Sequence, residues 1–152
     1  MAKSQRISNV PNIPAFEAYR STNQSITSAT WTKVEADTKM FDTAGAYDNT
    51  TNYRFTPLTA GYYLVGGSVT VVAASGLTAV AAGIYKNGGP HTFANQSAPS
   101  SATGGGASVT AIVQMNGTTD YVELWGQGTG TTVAFTGATT ANQFFATLIR
   151  VL

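Results

Sequence analysis

Residue types that could do chemistry are scarce in this chain of 152 residues. Cysteine is absent, which removes thiol nucleophiles and disulfides, and the single histidine, His91, leaves almost no material for a metal site or a catalytic triad. The candidate catalytic acids are scattered through the sequence, at Asp37, Asp42, Asp48, Asp120 and Glu123. General acid–base or glycosidase chemistry needs two groups at a fixed separation, and no pair stands out. We therefore predict no catalytic residues and no enzyme.

Two of these acids, Asp42 and Asp48, flank one loop and could share a calcium ion, which takes six or more oxygen ligands. Aspartate also forms turns by accepting hydrogen bonds from the following backbone, and we favour that interpretation for both residues. Residues 104–106 are three glycines, but they lack the following Lys-Ser or Lys-Thr of a phosphate loop. The sequence thus predicts no metal site and no cofactor.

Four aromatic residues are candidates for contact with a ligand: Trp31, Tyr85, Tyr121 and Trp125. If their rings are exposed on a rim, they could stack on sugars, whereas aromatic side chains on strands more often belong to the core. Both interpretations stay open at this point.

The charge content excludes several classes of partner. Charged side chains make up 10% of the chain against a typical ~25%, and the net charge is only +1. No cluster of Lys and Arg offers a nucleic-acid surface, and no apolar run approaches the ~18–20 residues of a membrane span. Residues 1–9 lack the apolar stretch of a secretory signal. We expect neither nucleic acid nor a membrane as a partner.

The elements that must position these residues are strands. The chain is rich in Thr, Gly and aromatic residues, in short runs separated by turn signals. We predict about ten strands, drawn from eleven candidate segments at residues 15–21, 29–34, 38–43, 53–56, 62–73, 77–86, 91–95, 107–115, 121–125, 131–135 and 143–151. Asn87-Gly88 predicts a tight hairpin with positive φ at both residues. Further turns are predicted at 116–117, 126–130 and 137–141, and a mobile surface loop at 97–106. This spacing indicates an all-β sandwich or jelly roll in one domain.

Residues 1–13 are predicted to form an extended arm ahead of a head that spans 14–152. Pro11 and Pro14 favour an extended backbone there. The side chains that could anchor the arm on a partner's sheet edge are Lys3, Arg6, Ile7, Val10 and Ile13. A frayed terminus fits the same segment equally well.

Several motifs resemble the globular heads of complement C1q and tumour necrosis factor. The most specific is F-x5-G-x-Y, formed by Phe55, Gly61 and Tyr63, and residues 84–88 resemble the central hairpin of that family. The other matching segments are 14–16, Phe41-Asp42, Tyr47-Asp48, 109–117, 120–122 and 143–152. The match covers nearly the whole chain from residue 14. The variant with 41–43, 47–49 and 53–57 is similar to heads found in bacteriophage virion proteins.

The resemblance implies a ten-stranded antiparallel jelly-roll sandwich that forms a tight homotrimer. The candidate residues of the trimer interface are Tyr19, Tyr63, Val65, Phe144 and Leu148. Alternation along a strand places Tyr63 with Val65, and Phe144 with Leu148, on common faces. It leaves open whether each face meets a partner subunit or the core of the protomer.

The virion variant implies a structural protein without enzymatic activity, a trimeric capsid decoration, cement or head-spike protein. It would be assembled in the host bacterial cytoplasm and located in the virion, with its own copies and a major capsid protein or another virion protein as partners. The alternative is the receptor-binding tip of a phage tail fibre, which serves host attachment by binding a host-surface glycan or protein receptor. A glycan-cleaving enzyme is disfavoured because no acid pair is evident.

Overall fold

The computed structural model describes residues 12–152, and the predicted arm residues Lys3, Arg6, Ile7 and Val10 lie outside that range. Over the described range the chain consists of strands joined by turns and bends, which confirms the predicted all-β class. That range contains no helix with the length and apolarity needed to cross a membrane.

Ten strands, paired antiparallel, make up the described part of the fold. Their bounds are β1 Ala15–Tyr19, β2 Gln24–Ser25, β3 Thr32–Lys33, β4 Thr38–Asp42, β5 Tyr47–Asp48, β6 Arg54–Phe55, β7 Gly61–Lys86, β8 Gly89–Met115, β9 Val122–Phe135 and β10 Gln143–Val151. The two longest, β7 and β8, each merge two strands that the sequence predicts as separate.

Both long strands run through the two layers of the sandwich. Residues 61–67 of β7 and 109–115 of β8 join β10, β1 and β4 in the layer that we call the first sheet. Residues 79–86 of β7 and 89–97 of β8 join β9 and the short strands β2, β3, β5 and β6 in the second sheet. Because the same two strands supply both layers, the position of one sheet fixes that of the other.

Aromatic rings fill the space between the sheets. The ring of Phe16 on β1 is fully buried, and its centroid lies 4.4 Å from that of Tyr47, 4.7 Å from Phe55 and 5.0 Å from Phe144. Rings from β1 and β10 of the first sheet thus pack on rings from β5 and β6 of the second. Burying one such side chain contributes roughly 1.5–3 kcal/mol, so this cluster holds the layers together.

The predicted mobile loop at 97–106 is wrong, because the segment lies within β8 and pairs with β7. Ala102 lies opposite Leu77, and Ser97 lies opposite Ala79. Between these two pairs, β8 advances by five residues while β7 advances by only two. The excess residues form a bulge where the strand passes from one sheet to the other. Backbone pairing with a long partner strand outweighs the loop-like composition.

The predicted turn at 126–130 is also wrong, since β9 continues through it. Its glycines face the core at every second position. A Cβ on Gly126 would lie 2.7 Å from the Val69 Cγ1, and one on Gly128 would lie 2.7 Å from the Val71 Cγ1. Glycine is therefore needed here because β9 passes directly over two core valines, and the chain does not turn.

The Asn87-Gly88 hairpin is confirmed. It connects β7 to β8, and φ is 52° at Asn87 and 80° at Gly88, as the two central residues of a primed turn require. The Asn87 side chain also ties the hairpin to the start of β9, because its Oδ1 accepts the backbone N–H of Tyr121 at 2.9 Å.

A buried asparagine closes the gap between β10 and β9 along β7. Pairing of β10 with β7 ends at Gly67, and pairing of β9 with β7 begins at Val71. In between, the Asn142 Oδ1 accepts the backbone N–H of Thr70 at 3.0 Å, and its Nδ2 donates to the carbonyls of Thr70 at 2.9 Å and Thr136 at 2.7 Å. Asn142 is completely buried, so its amide replaces the backbone partners that a neighbouring strand would supply.

We expect Asn142→Ala to lower the free energy of unfolding by about 3 kcal/mol, because it removes the partner of the partly buried Thr70 N–H and Thr136 carbonyl and places alanine at a φ of 47°. Asn142→Gly loses the same hydrogen bonds without the backbone strain, so it should be less destabilised than the alanine variant by about 1 kcal/mol. Urea denaturation of both variants measures the two effects. Equal stability of Asn142→Ala and the parent would contradict this role.

Candidate functional site

The Asp48 carboxylate organises the turn that follows β5. Its Oδ1 accepts the backbone N–H groups of Thr51 and Thr50, each at 3.0 Å, and its Oδ2 accepts that of Asn52 at 3.1 Å. These donors hold the pKa of Asp48 well below its usual range. The geometry agrees with a turn former, the interpretation that the sequence favours.

Asp42 and Asp37 are engaged in the same way. Asp42 accepts the backbone N–H groups of Ala46 and Tyr47, both at 3.1 Å. Asp37 forms an ion pair with Arg20 at 2.8 Å. Burial works against ionisation of Asp37, but hydrogen bonds from its neighbours and the Arg20 charge lower its pKa overall. Both acids hold loops in place.

The two remaining candidate acids bind lysines. Asp120 accepts a hydrogen bond from the Asn87 Nδ2 at 2.8 Å and pairs with the Lys86 Nζ at 2.9 Å, and these two contacts lower its pKa. Glu123 is buried and pairs with the Lys33 Nζ at 2.7 Å. Each carboxylate therefore has a lysine partner in the fold, and this ion pair explains its presence without a catalytic role.

His91 is exposed near the start of β8, as expected of a surface residue beside a hairpin. Among residues 12–152, no three His, Asp or Glu side chains gather closely enough to hold a metal ion. The absence of a catalytic residue, of a metal and of a cofactor stays a prediction.

The outward face of the first sheet carries several large apolar side chains, and no other described part of the chain covers it. Cross-strand register places on this face the apolar or aromatic side chains of Phe41, Tyr62, Leu64, Ile112 and Phe145, the polar ones of Thr110, Gln114 and Thr147, and the charged ones of Glu17 and Arg150. Ile112 is 63% exposed and Phe41 is 46% exposed. A Cβ on Gly66 would lie 2.6 Å from the Phe145 Cζ, so the Phe145 ring lies across the sheet over that glycine. We call this surface the apolar face.

The burial of three predicted interface residues corrects that prediction. Tyr63, Val65 and Phe144 have no exposed surface in the single chain and belong to its own core. They are the strand neighbours of the residues on the apolar face, and successive side chains point to opposite sides of a strand. Leu148 is partly buried against the same core. Tyr19 is half-buried and shares its side of β1 with Glu17, on the apolar face.

Aromatic residues gather on the outward face of the second sheet. They line a cleft of about 440 Å³, which we call the aromatic cleft, and its lining residues are Trp31, Tyr85, Pro90, Phe93, Asn95 and Gln127. The Trp31 centroid lies 6.1 Å from that of Tyr85 and 6.2 Å from that of Phe93. A Cβ on Gly83 would lie 3.2 Å from the Trp31 ring, so glycine lets the indole lie close to the sheet.

Trp125 supports the cleft from the side. Its ring stacks on Tyr85 with centroids 4.6 Å apart, and its Nε1 donates to Glu123 at 3.0 Å. Three of the four predicted aromatic residues are therefore brought together, while the fourth, Tyr121, packs against the guanidinium of Arg54, 4.4 Å from its ring.

The sequence reasoning missed Phe93, Asn95 and Gln127. Phe93 and Asn95 alternate along β8, and Gln127 stands between two inward-facing glycines. That alternation was the available signal, because a residue between inward-facing neighbours must face outward.

No family model matches this sequence, and no curated protein matches it. Solved structures do match its fold. Eiger TNF from S. frugiperda aligns with a TM-score of 0.65 and 10% identity, over 92% of this chain and 94% of that chain. Murine APRIL at pH 5.0 aligns with a TM-score of 0.66 and 8% identity, over 90% of this chain and 99% of that chain. The likeness confirms the jelly-roll fold of the C1q and tumour necrosis factor type that the sequence motifs indicate.

The depressed pKa of Asp48 predicts a dependence of stability on pH. Its stabilising effect is present above the unfolded-state pKa of about 3.9 and is lost as the pH falls through the lower folded-state value. We expect the melting temperature to drop between pH 5 and pH 2, and the drop to be smaller in Asp48→Asn. If the melting temperatures of the parent and of Asp48→Asn fall by the same amount between pH 5 and pH 2, Asp48 is not the source of this pH dependence.

Proposed function

We propose that this jelly-roll chain is a homotrimeric, non-enzymatic structural protein of a bacteriophage virion, serving as a capsid decoration, cement or head-spike protein. Its N-terminal arm would attach it to a major capsid protein or another virion protein. The virion role rests on the resemblance of residues 41–43, 47–49 and 53–57 to heads of phage virion proteins. The observation that carries self-association is the apolar face of the first sheet.

Three copies meeting through this face would remove it from water. A soluble monomer rarely exposes a contiguous apolar patch larger than a few hundred Å². Here Phe41, Tyr62 and Ile112 stand exposed on one sheet of a chain that is only 10% charged. The tumour necrosis factor-like fold gives independent support, since the resemblance implies three subunits that meet through an apolar sheet.

The start of the head gives the arm a firm attachment. The Asn12 Nδ2 donates to the carbonyl of Thr43 at 2.7 Å, and the Thr43 hydroxyl donates to the carbonyl of Ile13 at 2.7 Å. The backbone N–H of Ala15 in turn donates to the same hydroxyl at 2.9 Å. An arm that binds a partner would therefore be tied to the sandwich from its first described residue. Ile13 is 48% exposed, which leaves its side chain free for such a contact.

A second candidate function is recognition of a host surface, as in the tip of a tail fibre. The aromatic cleft favours it, because a purely structural head has no need for exposed rings on the sheet opposite the apolar face.

The trimer is tested by light scattering at micromolar concentration. We expect a mass of about 47 kDa, three times the 15.8 kDa of one chain. Ile112→Asp should yield monomers, because assembly would bury an unpaired carboxylate. Leu58→Asp is the matched control, since Leu58 is 80% exposed and lies outside the apolar face, and it should remain trimeric. A parent protein with the mass of one chain would refute the trimer.

The arm is tested by deleting residues 1–11, which leaves the contacts of Asn12 with Thr43 in place. The truncated protein should keep its oligomeric mass and melting temperature but lose incorporation into particles, measured by its occupancy in electron cryomicroscopy maps of virions. Three arms on one trimer multiply the effect of a weak contact, so the loss should be nearly complete. Occupancy equal to that of the intact protein would show that attachment runs through the head.

A further inference from the structure

The aromatic cleft has the features of a binding site for a small neutral ligand. Its volume of about 440 Å³ lies within the usual range for such sites. Phe93 is 60% exposed, so a large apolar ring stands in water at its edge. The amides of Asn95 and Gln127, which also line it, make no side-chain hydrogen bond to any other described residue. Rings and amides together form a surface that is apolar in part and able both to donate and to accept.

Charge in and around the cleft excludes an ionic ligand. None of the six lining residues is charged. Beside Trp125, the ionic groups of Lys33 and Glu123 pair with each other across 2.7 Å. A nucleotide or a phosphorylated ligand would find no cation among these lining residues to meet its charge.

The angles between the rings argue against a flat ligand. Trp31 is tilted by 54° to Tyr85 and by 63° to Phe93, so a planar base could not be sandwiched between Trp31 and either of these rings. The rings of Tyr85 and Trp125 stack on each other at 20°, with centroids 4.6 Å apart, so no ligand ring fits between them. A saturated ring suits this geometry, because its C–H face packs on one aromatic ring while its rim hydroxyls reach amides at the side.

We propose that the aromatic cleft binds a neutral saccharide, with Trp31 and Phe93 as the stacking rings and Asn95 and Gln127 as the hydrogen-bonding groups. Trp125 acts as a positioning residue, because it holds Tyr85 in place and is itself held by Glu123. The cleft lies on the second sheet and the apolar face on the first, so three clefts would stay open on a trimer. Linked sites of this kind bind repeated glycans far more tightly than one site does.

This inference deepens the second candidate function, and it is tested on purified protein without virions. The chain has two tryptophans, Trp31 and Trp125, and both belong to the cleft or support it. Intrinsic fluorescence therefore reports on the site directly. The probes are hexasaccharides of glucose, galactose and N-acetylglucosamine, each titrated to millimolar concentration, with adenosine as a planar comparison.

We expect at least one hexasaccharide to shift the tryptophan emission with saturation. Phe93→Ala and Asn95→Ala should weaken its binding about tenfold or more. Gln96→Ala is the matched control, because Gln96 is exposed, adjacent to Asn95 and directed to the other side of β8. The affinity of this variant for the hexasaccharide should equal that of the parent. Trp31→Phe should retain part of the affinity that Trp31→Ala loses, measured by saturation-transfer NMR.

Three results would overturn the proposal: no response to any of the saccharides, saccharide binding that Phe93→Ala and Asn95→Ala leave unchanged, or adenosine binding in their place. The melting temperatures of Phe93→Ala and Asn95→Ala should be unchanged, because both side chains are exposed, and this shows that the variants are folded. None of these results affects the tests of the trimer or of the arm.

Discussion

The long strand β7 exchanges one hydrogen-bonded neighbour, β10, for another, β9, and no peptide group at the exchange can be left without a hydrogen bond. The rest of the architecture depends on how this exchange is made. The side-chain amide of Asn142 makes this possible, since it bonds both backbone groups of Thr70, whose carbonyl also accepts the backbone N–H of Thr136 just after β9. Once the exchange is made, β7 belongs to both layers, and its partner β8 follows it. One outward face then becomes the apolar face and the other carries the aromatic cleft. Two surfaces of different chemistry are thus held at fixed positions by one buried polar side chain.

Local signals in the sequence predict the features that depend on neighbours along the chain. The Asn87-Gly88 turn, the strands at β1, β4 and β10, and the turn-forming role of Asp48 follow from backbone preference and short-range hydrogen bonding. The segments 97–106 and 126–130 could not be predicted in this way. The first is a strand because a distant strand pairs with it, and the second is glycine-rich because core valines leave no space for a Cβ. The composition shows small residues in both segments. It does not distinguish small residues that allow a flexible loop from small residues that allow close packing against a neighbouring strand.

The candidate surfaces show the same limit. Alternation correctly groups Tyr63 with Val65, but it cannot say which side of the first sheet is covered, because both sides carry large apolar side chains. Only the partner layer, with Phe55 packed on Tyr63, decides that this side is the inner one. The sequence predicts part of the aromatic cleft, since Trp31, Tyr85 and Trp125 are candidates for ligand contact by residue type. Phe93 and the two amides join them through cross-strand register over distances that a single sequence does not reveal.

The attachment of Thr43 to residues 12–15 has a mechanical consequence. Tension applied to the chain ahead of Asn12 enters β1, which is hydrogen-bonded along its length to β4 on one side and to β10 on the other. A strand held on both sides and pulled along its own axis must shear two ladders of hydrogen bonds together, and it cannot be peeled away one bond at a time. The head is therefore built to resist force at its N-terminal end, which suits a chain tethered by that end to something larger.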